Sequence, residues 1–338
     1  MDDRYSRQIL FSGIGEEGQR RLRAARVLIV GCGALGSAHS EALARAGVGR
    51  LRIVDRDFVE PSNLQRQTMF TEADAEQRLP KVIAAANHLR QINSEIEIEP
   101  HIVDVNHSNI EQLLDDCDVV LDGTDNFAIR YLINDACVKH EINWIYGAAV
   151  GSYGVTMTIR PHETACLRCV FEEAPPAASA PTCDTAGVIM PIISIVSAVQ
   201  VAEALKLLTG RLEDLHGSLM QFDVWRNEWR RIGTGSTRAD CPTCGLGRYE
   251  TLSRAFEAAA VLCGRDAIQI SPAQPTRINF SSLAERLRRA GEVKFNEYLL
   301  RFKTGKFELT VFQDARSIIR GTDEIAVARS LYAKYIGT

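Results

Sequence analysis

A glycine turn that follows an apolar strand is the first group of residues suited to chemistry. The pattern G-x-G-x-x-G is formed by Gly31, Gly33 and Gly36 in the sequence VLIVGCGALGS. In such a turn the first glycine permits a tight bend, the second lets the backbone approach a phosphate, and the third lets a helix pack on the strand. The following helix, predicted at about 34–46, directs its free N–H groups at that phosphate. Asp55 ends the next strand, at the spacing typical of a contact to a ribose hydroxyl.

These features predict a nucleotide site and favour it over a tight turn that holds no ligand. The glycine pattern alone does not distinguish NAD from ATP.

A polar segment soon after the second strand supplies donors and a cation. Its sequence is SNLQRQ, residues 62–67, and its donors include the amides of Asn63, Gln65 and Gln67. The guanidinium of Arg66 has the fork geometry that matches phosphate oxygens, and Lys81, at the start of the next helix, adds a point charge. Two cations beside the turn suit a triphosphate better than the diphosphate of NAD. A solvated polar loop is the alternative interpretation of this segment.

An acidic segment, DGTDN at residues 122–126, ends the fourth predicted strand. Ligands of open α/β sheets bind outside the carboxyl ends of the strands. Asp125 is suited to Mg²⁺, which takes one or two carboxylates together with phosphate oxygens. The alternative is that Asp125 caps the helix that starts at about Asn126.

Two C-x-x-C pairs, CLRC and CPTC, contain Cys166, Cys169, Cys241 and Cys244. In a chain with nine cysteines and no secretory features, this pattern predicts a Cys₄ zinc site. Because all four ligands come from the protein, the zinc is expected to be structural. Two separate redox pairs or unbonded core cysteines are the alternatives.

The elements that position these groups alternate between strands and helices, which predicts a doubly wound, mostly parallel α/β sheet. The segments GSLMQFDVW and NEWRRIGT predict a hairpin that precedes Cys241. The segment 172–187 is rich in Pro, Ala and Ser and predicts a mobile loop across a site. We expect one domain over 1–248 and a small α+β domain over 249–338.

Composition narrows the class of protein. The 338 residues carry a net charge of −4 without a long run of one sign, which argues against nucleic acid or a membrane surface as partner. The longest apolar segment, 188–208, contains Glu203 and Lys206 and predicts a buried helix rather than a membrane span. The charged N-terminal segment lacks the apolar core of a signal peptide, so the cytoplasm is the expected location.

Taken in order, the motifs RYSRQ, GCGALG, SNLQRQ, LPK, GTDN, CLRC, TCDTAG and CPTC resemble the ThiF/MoeB family. This family consists of sulfur-carrier-protein adenylyltransferases related to ubiquitin-activating enzymes. The resemblance covers about Arg4 to Cys244, and the length and tail are similar to the longer ThiF proteins of Bacillus-like bacteria.

The resemblance implies that ATP·Mg²⁺ is used to attach AMP to the C-terminal Gly-Gly carboxylate of a ubiquitin-like sulfur carrier, with release of pyrophosphate. ThiS, of thiamin thiazole biosynthesis, is the favoured carrier, and MoaD, of molybdenum cofactor biosynthesis, is the alternative. An ionised carboxylate needs no general base, so the catalyst must screen anions and stabilise the leaving pyrophosphate.

The resemblance also implies roles for individual residues. Arg7 corresponds to an arginine that reaches the ATP of the neighbouring protomer, which implies a homodimer. Cys183 corresponds to a loop cysteine that forms a covalent bond with the carrier; an inert cysteine is the alternative. Arg130 is a further candidate beside Asp125. The implied nucleotide contacts are Gly31, Gly33, Ala34, Gly36, Asp55, Asp57, Ser62, Asn63, Leu64, Gln65, Arg66, Lys81, Asp125 and Asn126.

The tail lacks the C-x-x-x-x-x-R loop of rhodanese-fused relatives, because Gln269 stands six residues after Cys263. Sulfur is therefore expected from a separate donor such as a cysteine desulfurase. Two functions of other classes remain open at this point: a NAD-dependent oxidoreductase, and a nucleotide-binding scaffold without turnover.

Overall fold

The computed structural model of the protein describes residues 3–173, 183–253, 259–262, 267–272 and 276–337. Compact packing divides the chain into one unit of 1–175 with 186–254 and a second unit of 255–338 with 176–185.

The first unit carries eight strands. Their bounds are β1 Arg26–Val30, β2 Arg50–Asp55, β3 Glu97–Ile102, β4 Val119–Asp122, β5 Asn143–Val150, β6 Tyr153–Ile159, β7 Leu219–Asp223 and β8 Glu228–Ile232. They form one sheet in the order β3-β2-β1-β4-β5-β6-β7-β8. The pairings from β3 to β5 are parallel, and those from β5 to β8 are antiparallel. The doubly wound, mostly parallel sheet and the hairpin β7–β8 are therefore confirmed.

Helices cover both faces of this sheet. They are α1 Ser6–Ile9, α2 Gly15–Ala24, α3 Ala34–Ala46, α4 Glu72–Gln77, α5 Lys81–Ile92, α6 Ile110–Leu114, α7 Phe127–Lys139, α8 Leu167–Val170 and α10 Met190–Thr209. One core joins α3, α5 and α10 to one face, and a second core joins α6 and α7 to the other. Two hydrophobic layers of this kind hold the strand ends rigidly, which is what a binding site requires.

Two local features show why these residues form these elements. Pro100 lies in β3, which is an edge strand, the place in a sheet where a proline is tolerated. Pro80 is the N-cap of α5, and the helix begins at Lys81, as the sequence analysis expects.

Helix α10 is long and apolar enough to cross a bilayer by length and composition. Half of its most apolar segment is buried in the protein, and it packs on α3, β5 and β6. It is therefore a core helix of the first unit, as the sequence predicts.

The second unit contains residues 183–185 of the short helix α9, Cys183–Ala186, and a six-stranded antiparallel sheet. The strands and helices are β9 Ala259–Leu262, β10 Ala267–Ile270, α11 Phe280–Leu287, β11 Glu292–Phe295, β12 Leu299–Thr304, β13 Phe307–Phe312, β14 Ser317–Arg320 and α12 Ile325–Tyr335. Both long helices pack on one hydrophobic face of that sheet. The predicted small α+β fold of the tail is confirmed.

Candidate adenylation site and cysteine cluster

Three loops of the first unit meet at the carboxyl ends of neighbouring strands. In the sheet register Val30 lies beside Val54 on one side and beside Asp122 on the other. The glycine turn, the Asp55 loop and the Asp125 loop therefore start side by side. The chain leaves β1 toward β2 and β3 and later returns to β4 on the opposite side, so this is the topological switch point where such sheets bind ligands.

The glycine turn has the backbone geometry that its sequence predicts. Gly31 has φ +89, and a Cβ there would lie 2.7 Å from the carbonyl oxygen of Gly123. A Cβ on Gly36 would lie 1.7 Å from the carbonyl oxygen of Gly31, so only glycine lets α3 pack this closely. At Gly33 the nearest atom to such a Cβ is Nε2 of Gln67, at 3.8 Å. The backbone at Gly33 is therefore open to a ligand.

Asp55 is engaged in holding this turn. One carboxylate oxygen accepts a hydrogen bond from the backbone N–H of Cys32 at 2.6 Å, and the other accepts from the N–H of Asp57 at 2.7 Å. A carboxylate oxygen has a second lone pair, so Asp55 keeps capacity for a ribose hydroxyl. Its position ties the end of β2 to the turn after β1.

The polar segment 62–67 divides into structural and accessible residues. Asn63 is buried, and its Oδ1 accepts from the backbone N–H of Glu60 at 3.1 Å, which closes a turn of 3₁₀ helix. Arg66 donates to the carbonyl of Ser62 at 3.0 Å, while Gln65 is exposed. Buried Gln67 is the member of the segment that lies beside Gly33.

Lys81 is the first residue of α5 and is only 5% exposed. The side-chain Nζ of Lys81 lies 3.4 Å from Oδ2 of Asp57, and the backbone N–H of Lys81 donates to the backbone carbonyl of Asp57 at 2.9 Å. The carbonyl of Lys81 also lies 3.9 Å from Sγ of Cys32 in the glycine turn. Lys81 is thus a buried, paired cation adjacent to the turn, and not a mobile surface lysine.

The loop after β4 is held by a buried ion pair. The Nε of Arg130 lies 3.1 Å from Oδ2 of Asp122, and its Nη2 donates to the carbonyls of Thr124 and Gly147. The N–H and hydroxyl of Thr124 donate to the other oxygen of Asp122. Burial raises the pKa of Asp122, and the positive charge of Arg130 opposes that shift. Arg130 therefore serves to hold this loop and the end of β5.

Asp125 is exposed, and its carboxylate makes no hydrogen bond with the residues that the structure describes. The cap of α7 is Asn126, whose Oδ1 accepts from the N–H of Ala128 at 2.8 Å. The alternative that Asp125 caps this helix is therefore wrong, and its carboxylate is available to a cation. Asn126 has already committed its side-chain oxygen to the helix.

Arg7 lies on α1, at the opposite end of α3 from the glycine turn. Gln8 donates to the carbonyl of Ala46, the last residue of α3, and Tyr5 packs against Gly47. The 13 residues of α3 span about 20 Å, which is much longer than an arginine side chain. The side chain of Arg7 is exposed and pairs with none of the described residues. Arg7 cannot reach the glycine turn of its own chain.

Cys183 lies in the one-turn helix α9, and its side chain falls outside the described residues. Most of the segment predicted as a mobile loop, residues 174–182, also lies outside them.

The four cysteines of the two C-x-x-C pairs converge, although 75 positions separate the two halves. The Sγ–Sγ distance is 3.6 Å between Cys166 and Cys241 and 3.3 Å between Cys169 and Cys244, and all four atoms lie within 4.8 Å of one another. In a tetrahedral site with Zn–S bonds of about 2.3 Å, the sulfur atoms lie about 3.8 Å apart. The cluster fits zinc.

Two buried residues of α7 orient the cysteine loops, and the sequence did not indicate them. The Oδ1 of Asn134 accepts from the N–H of Leu167 at 2.9 Å, inside the first pair. Asp135 accepts from the hydroxyl of Thr243, inside the second pair, and from Thr251 beyond it. Polar residues on an otherwise apolar helix face are the signal that would have found them.

A second feature missed by sequence reasoning is the buried pair His39 and Gln200, whose side chains meet at 2.9 Å. Burial lowers the pKa of His39 to about 4, and its Nδ1 has no hydrogen-bond partner among the described residues. The imidazole is therefore neutral in the folded protein at neutral pH.

The buried His39 predicts acid sensitivity. Below pH about 6.5 the unfolded chain binds a proton on this residue, while the folded chain does not until pH about 4. The contribution of His39 to the free energy of unfolding is thus constant above pH about 6.5 and falls as the pH drops from there to about 4. We expect a loss of about 2 kcal/mol between pH 7 and pH 5 from this group, measured by urea unfolding. His39→Gln should remove that part of the loss, and an unchanged pH profile would refute the assignment.

Comparisons with known proteins show the family of this chain. The model of the ThiF family matches residues 5–243. The chain is 45% identical over its whole length to the sulfur carrier protein ThiS adenylyltransferase of Bacillus subtilis, which it also covers completely. It is 39% identical to the SAMP-activating enzyme E1 of Haloferax volcanii, over 74% of this chain and 91% of that protein. It is 41% identical to the pig adenylyltransferase and sulfurtransferase MOCS3, over 78% of this chain but only 57% of that protein.

Solved structures share the fold. A crystal structure of Escherichia coli MccB with ATP superposes with a TM-score of 0.64 at 23% identity, over 72% of this chain and 75% of that chain. PaaA gives a TM-score of 0.57 at 21% identity, over 69% of this chain and 73% of that chain. The family match spans more than two thirds of the sequence and includes the glycine turn, the Asp125 loop and three of the four clustered cysteines. The chain is therefore a member of the ThiF family, an enzyme of the adenylyltransferase class.

Proposed function

We propose that this protein uses ATP and Mg²⁺ to adenylylate the C-terminal Gly-Gly carboxylate of a ubiquitin-like sulfur carrier, with ThiS as the carrier. The observation that carries the proposal is the 45% identity to a ThiS adenylyltransferase along the entire chain, including the tail. The pairing of a glycine turn with an exposed carboxylate, that of Asp125, at the switch point supports a metal-dependent nucleotide reaction.

In the proposed reaction a carboxylate oxygen of the carrier attacks the α-phosphorus of ATP, and the bond to pyrophosphate breaks. The N–H groups of the glycine turn and of the α3 N-terminus hold the phosphates. Lys81 and Arg66 add positive charge beside them, and Asp125 holds Mg²⁺, which supplies charge screening. No described side chain has to remove a proton, because the attacking carboxylate is already ionised.

The cysteine cluster holds one structural Zn²⁺ in this proposal. All four positions are taken by protein thiolates, so no open position remains for substrate. The zinc joins the segment after β6, which holds Cys166 and Cys169, to the segment after β8, which holds Cys241 and Cys244. Asn134 and Asp135 link both segments to α7, whose N-terminus follows Asp125.

Arg7 acts in a second copy of the chain, which makes the working unit a homodimer. The support is geometric, because α3 separates Arg7 from its own glycine turn. Leu10 and Phe11, beside Arg7, expose 73% and 64% of their surface, as residues of an interface do.

Cys183 forms the covalent link to the carrier, and a separate donor such as a cysteine desulfurase supplies the sulfur. The protein acts in the cytoplasm.

ATP–pyrophosphate exchange tests this function. The wild-type protein should exchange label between pyrophosphate and ATP only when Mg²⁺ and a carrier ending in Gly-Gly are present. ThiS should support faster exchange than MoaD, and the reverse result would assign the chain to the molybdenum cofactor. Calorimetry should detect ATP and not NAD at millimolar concentration. Tight NAD binding without exchange would indicate an oxidoreductase, and ATP binding without exchange would indicate a scaffold.

Lys81→Met should lower the exchange rate by about 100-fold or more, because a cation near the transferred group is lost. Lys81→Glu, which reverses the charge, is a poorer test because it would place a third carboxylate beside those of Asp57 and Asp55. The matched control is Lys139→Met, which should leave exchange unchanged. Lys139 is an exposed lysine at the C-terminal end of α7 and pairs with Glu111. Equal exchange by both variants would remove Lys81 from the site.

A further inference from the structure

The side chain of Gln200 links three elements behind the proposed site. It is fully buried on α10, and its Nε2 donates to the carbonyls of Asp122 and Ile145, each at 3.1 Å. Its Oε1 lies 2.9 Å from Nε2 of His39 on α3. Since only the NH₂ group can face two carbonyls, Oε1 must face His39, and His39 must carry its hydrogen on Nε2. Each polar atom of the amide is therefore satisfied.

Gly147 provides the space for this amide. A Cβ on Gly147 would lie 2.3 Å from Oε1 of Gln200, so β5 has no side chain at the point where the amide sits. The carbonyl of the same glycine accepts from Arg130, which approaches from the opposite face of the sheet. The end of β4 is thus held from both faces, by Gln200 on one and by Arg130 on the other.

These contacts determine where Asp125 lies. The segment from Asp122 to Thr124 is fixed through the Asp122 carbonyl, the Asp122 carboxylate and the Thr124 carbonyl. Gly123 also packs against Gly36, with only 2.8 Å between its would-be Cβ and the Cα of Gly36. Asp125 comes next in the chain, and its own side chain has no contact that would orient it. Its position relative to the glycine turn therefore depends on the backbone that precedes it.

We propose that Gln200, oriented by His39, is a positioning residue that sets the distance between the Asp125 carboxylate and the glycine turn. The inference rests on the proposed use of Mg·ATP. Gln200 contacts no substrate; it acts through the carbonyl of Asp122. Loss of its hydrogen bonds would free the end of β4 to shift, and a displacement of about 1 Å at a reacting group costs up to about 100-fold in rate.

The test compares Gln200→Met, which keeps the length of the side chain without its hydrogen bonds, with wild type. Calorimetry should show that ATP alone binds both proteins within about twofold, whereas the gain in affinity on adding Mg²⁺ falls about tenfold in the variant. In the exchange assay the Mg²⁺ concentration for half-maximal rate should rise about tenfold. Gly147→Ala, which displaces the amide while keeping Gln200, should produce the same two changes.

Controls separate positioning from general stability. Glu203→Gln alters another buried polar residue of α10, which contacts Thr158 and Lys206 away from the site; it should lower the unfolding temperature without changing either Mg²⁺ response. His39→Gln retains a donor near Nε2 and should keep the wild-type Mg²⁺ response. A Gln200→Met protein that binds Mg·ATP like Glu203→Gln would overturn the proposal. Absence of exchange in the wild type would instead overturn the proposed function, since the calorimetric comparison stands without turnover.

Discussion

Mixing two inactive variants, Arg7→Ala and Asp125→Ala, should restore about a quarter of the wild-type exchange activity. The structure gives the reason, because α3 separates Arg7 from the glycine turn of its own chain. If Arg7 serves the second protomer, each mixed dimer has one site that lacks both groups and one that lacks neither. Random pairing of equal amounts makes about half of the dimers mixed, so about a quarter of all sites are complete.

The control is each variant alone at the same total concentration, which should show only background exchange. Subunit exchange must be demonstrated separately, with differently labelled chains. If labelled chains mix and activity stays at background, Arg7 does not act on the site of a second copy. Since its own site is out of reach, its role would then be confined to protein contact.

Cys244→Ser should reduce the bound zinc from about one equivalent per chain to nearly none. Zinc binding is linked to folding, and this cluster joins segments 75 positions apart. We expect the unfolding temperature to fall by about 10 °C, which for a unit of this size corresponds to about 5 kcal/mol. Metal analysis and thermal unfolding measure the two effects.

Cys117→Ser is the matched control for this experiment. Cys117 is a half-buried cysteine whose Sγ lies 3.8 Å from Nη1 of Arg52 and outside the cluster. Its substitution should leave the zinc content at one equivalent. A wild-type protein that contains no metal, with the same stability as Cys244→Ser, would show that the four cysteines are redox pairs or simple core residues.

Much of the local structure is contained in short stretches of sequence. Gly31 has the positive φ that its pattern predicts, and Gly36 allows the predicted close approach of backbone to backbone. Helix α3 covers 34–46 as expected. The hairpin before Cys241 also lies where expected, and the tail contains both helices and strands, as an α+β domain does. Such features depend on hydrogen bonds and steric limits within a few residues, so spacing alone is informative about them.

The roles of single polar residues were less predictable. Asn126 and not Asp125 caps α7, and Asn63 closes a turn while Gln67 lies beside Gly33. In each case more than one residue of a short segment carries a suitable group, and the local direction of the backbone determines which one forms the bond. A sequence shows which polar side chains are present but not which way each of them points.

By itself, the sequence determined the order of the elements, the glycine turn and the cysteine spacing, because these are properties of neighbours in the chain. Only the tertiary structure decided that Lys81 is buried against Asp57, that Arg7 lies beyond reach of its own turn, and that His39 meets Gln200 161 positions away. Those facts depend on which strands pair and which helix faces share a core. Contacts of this range are set by the packing of the whole unit, and no local pattern encodes them.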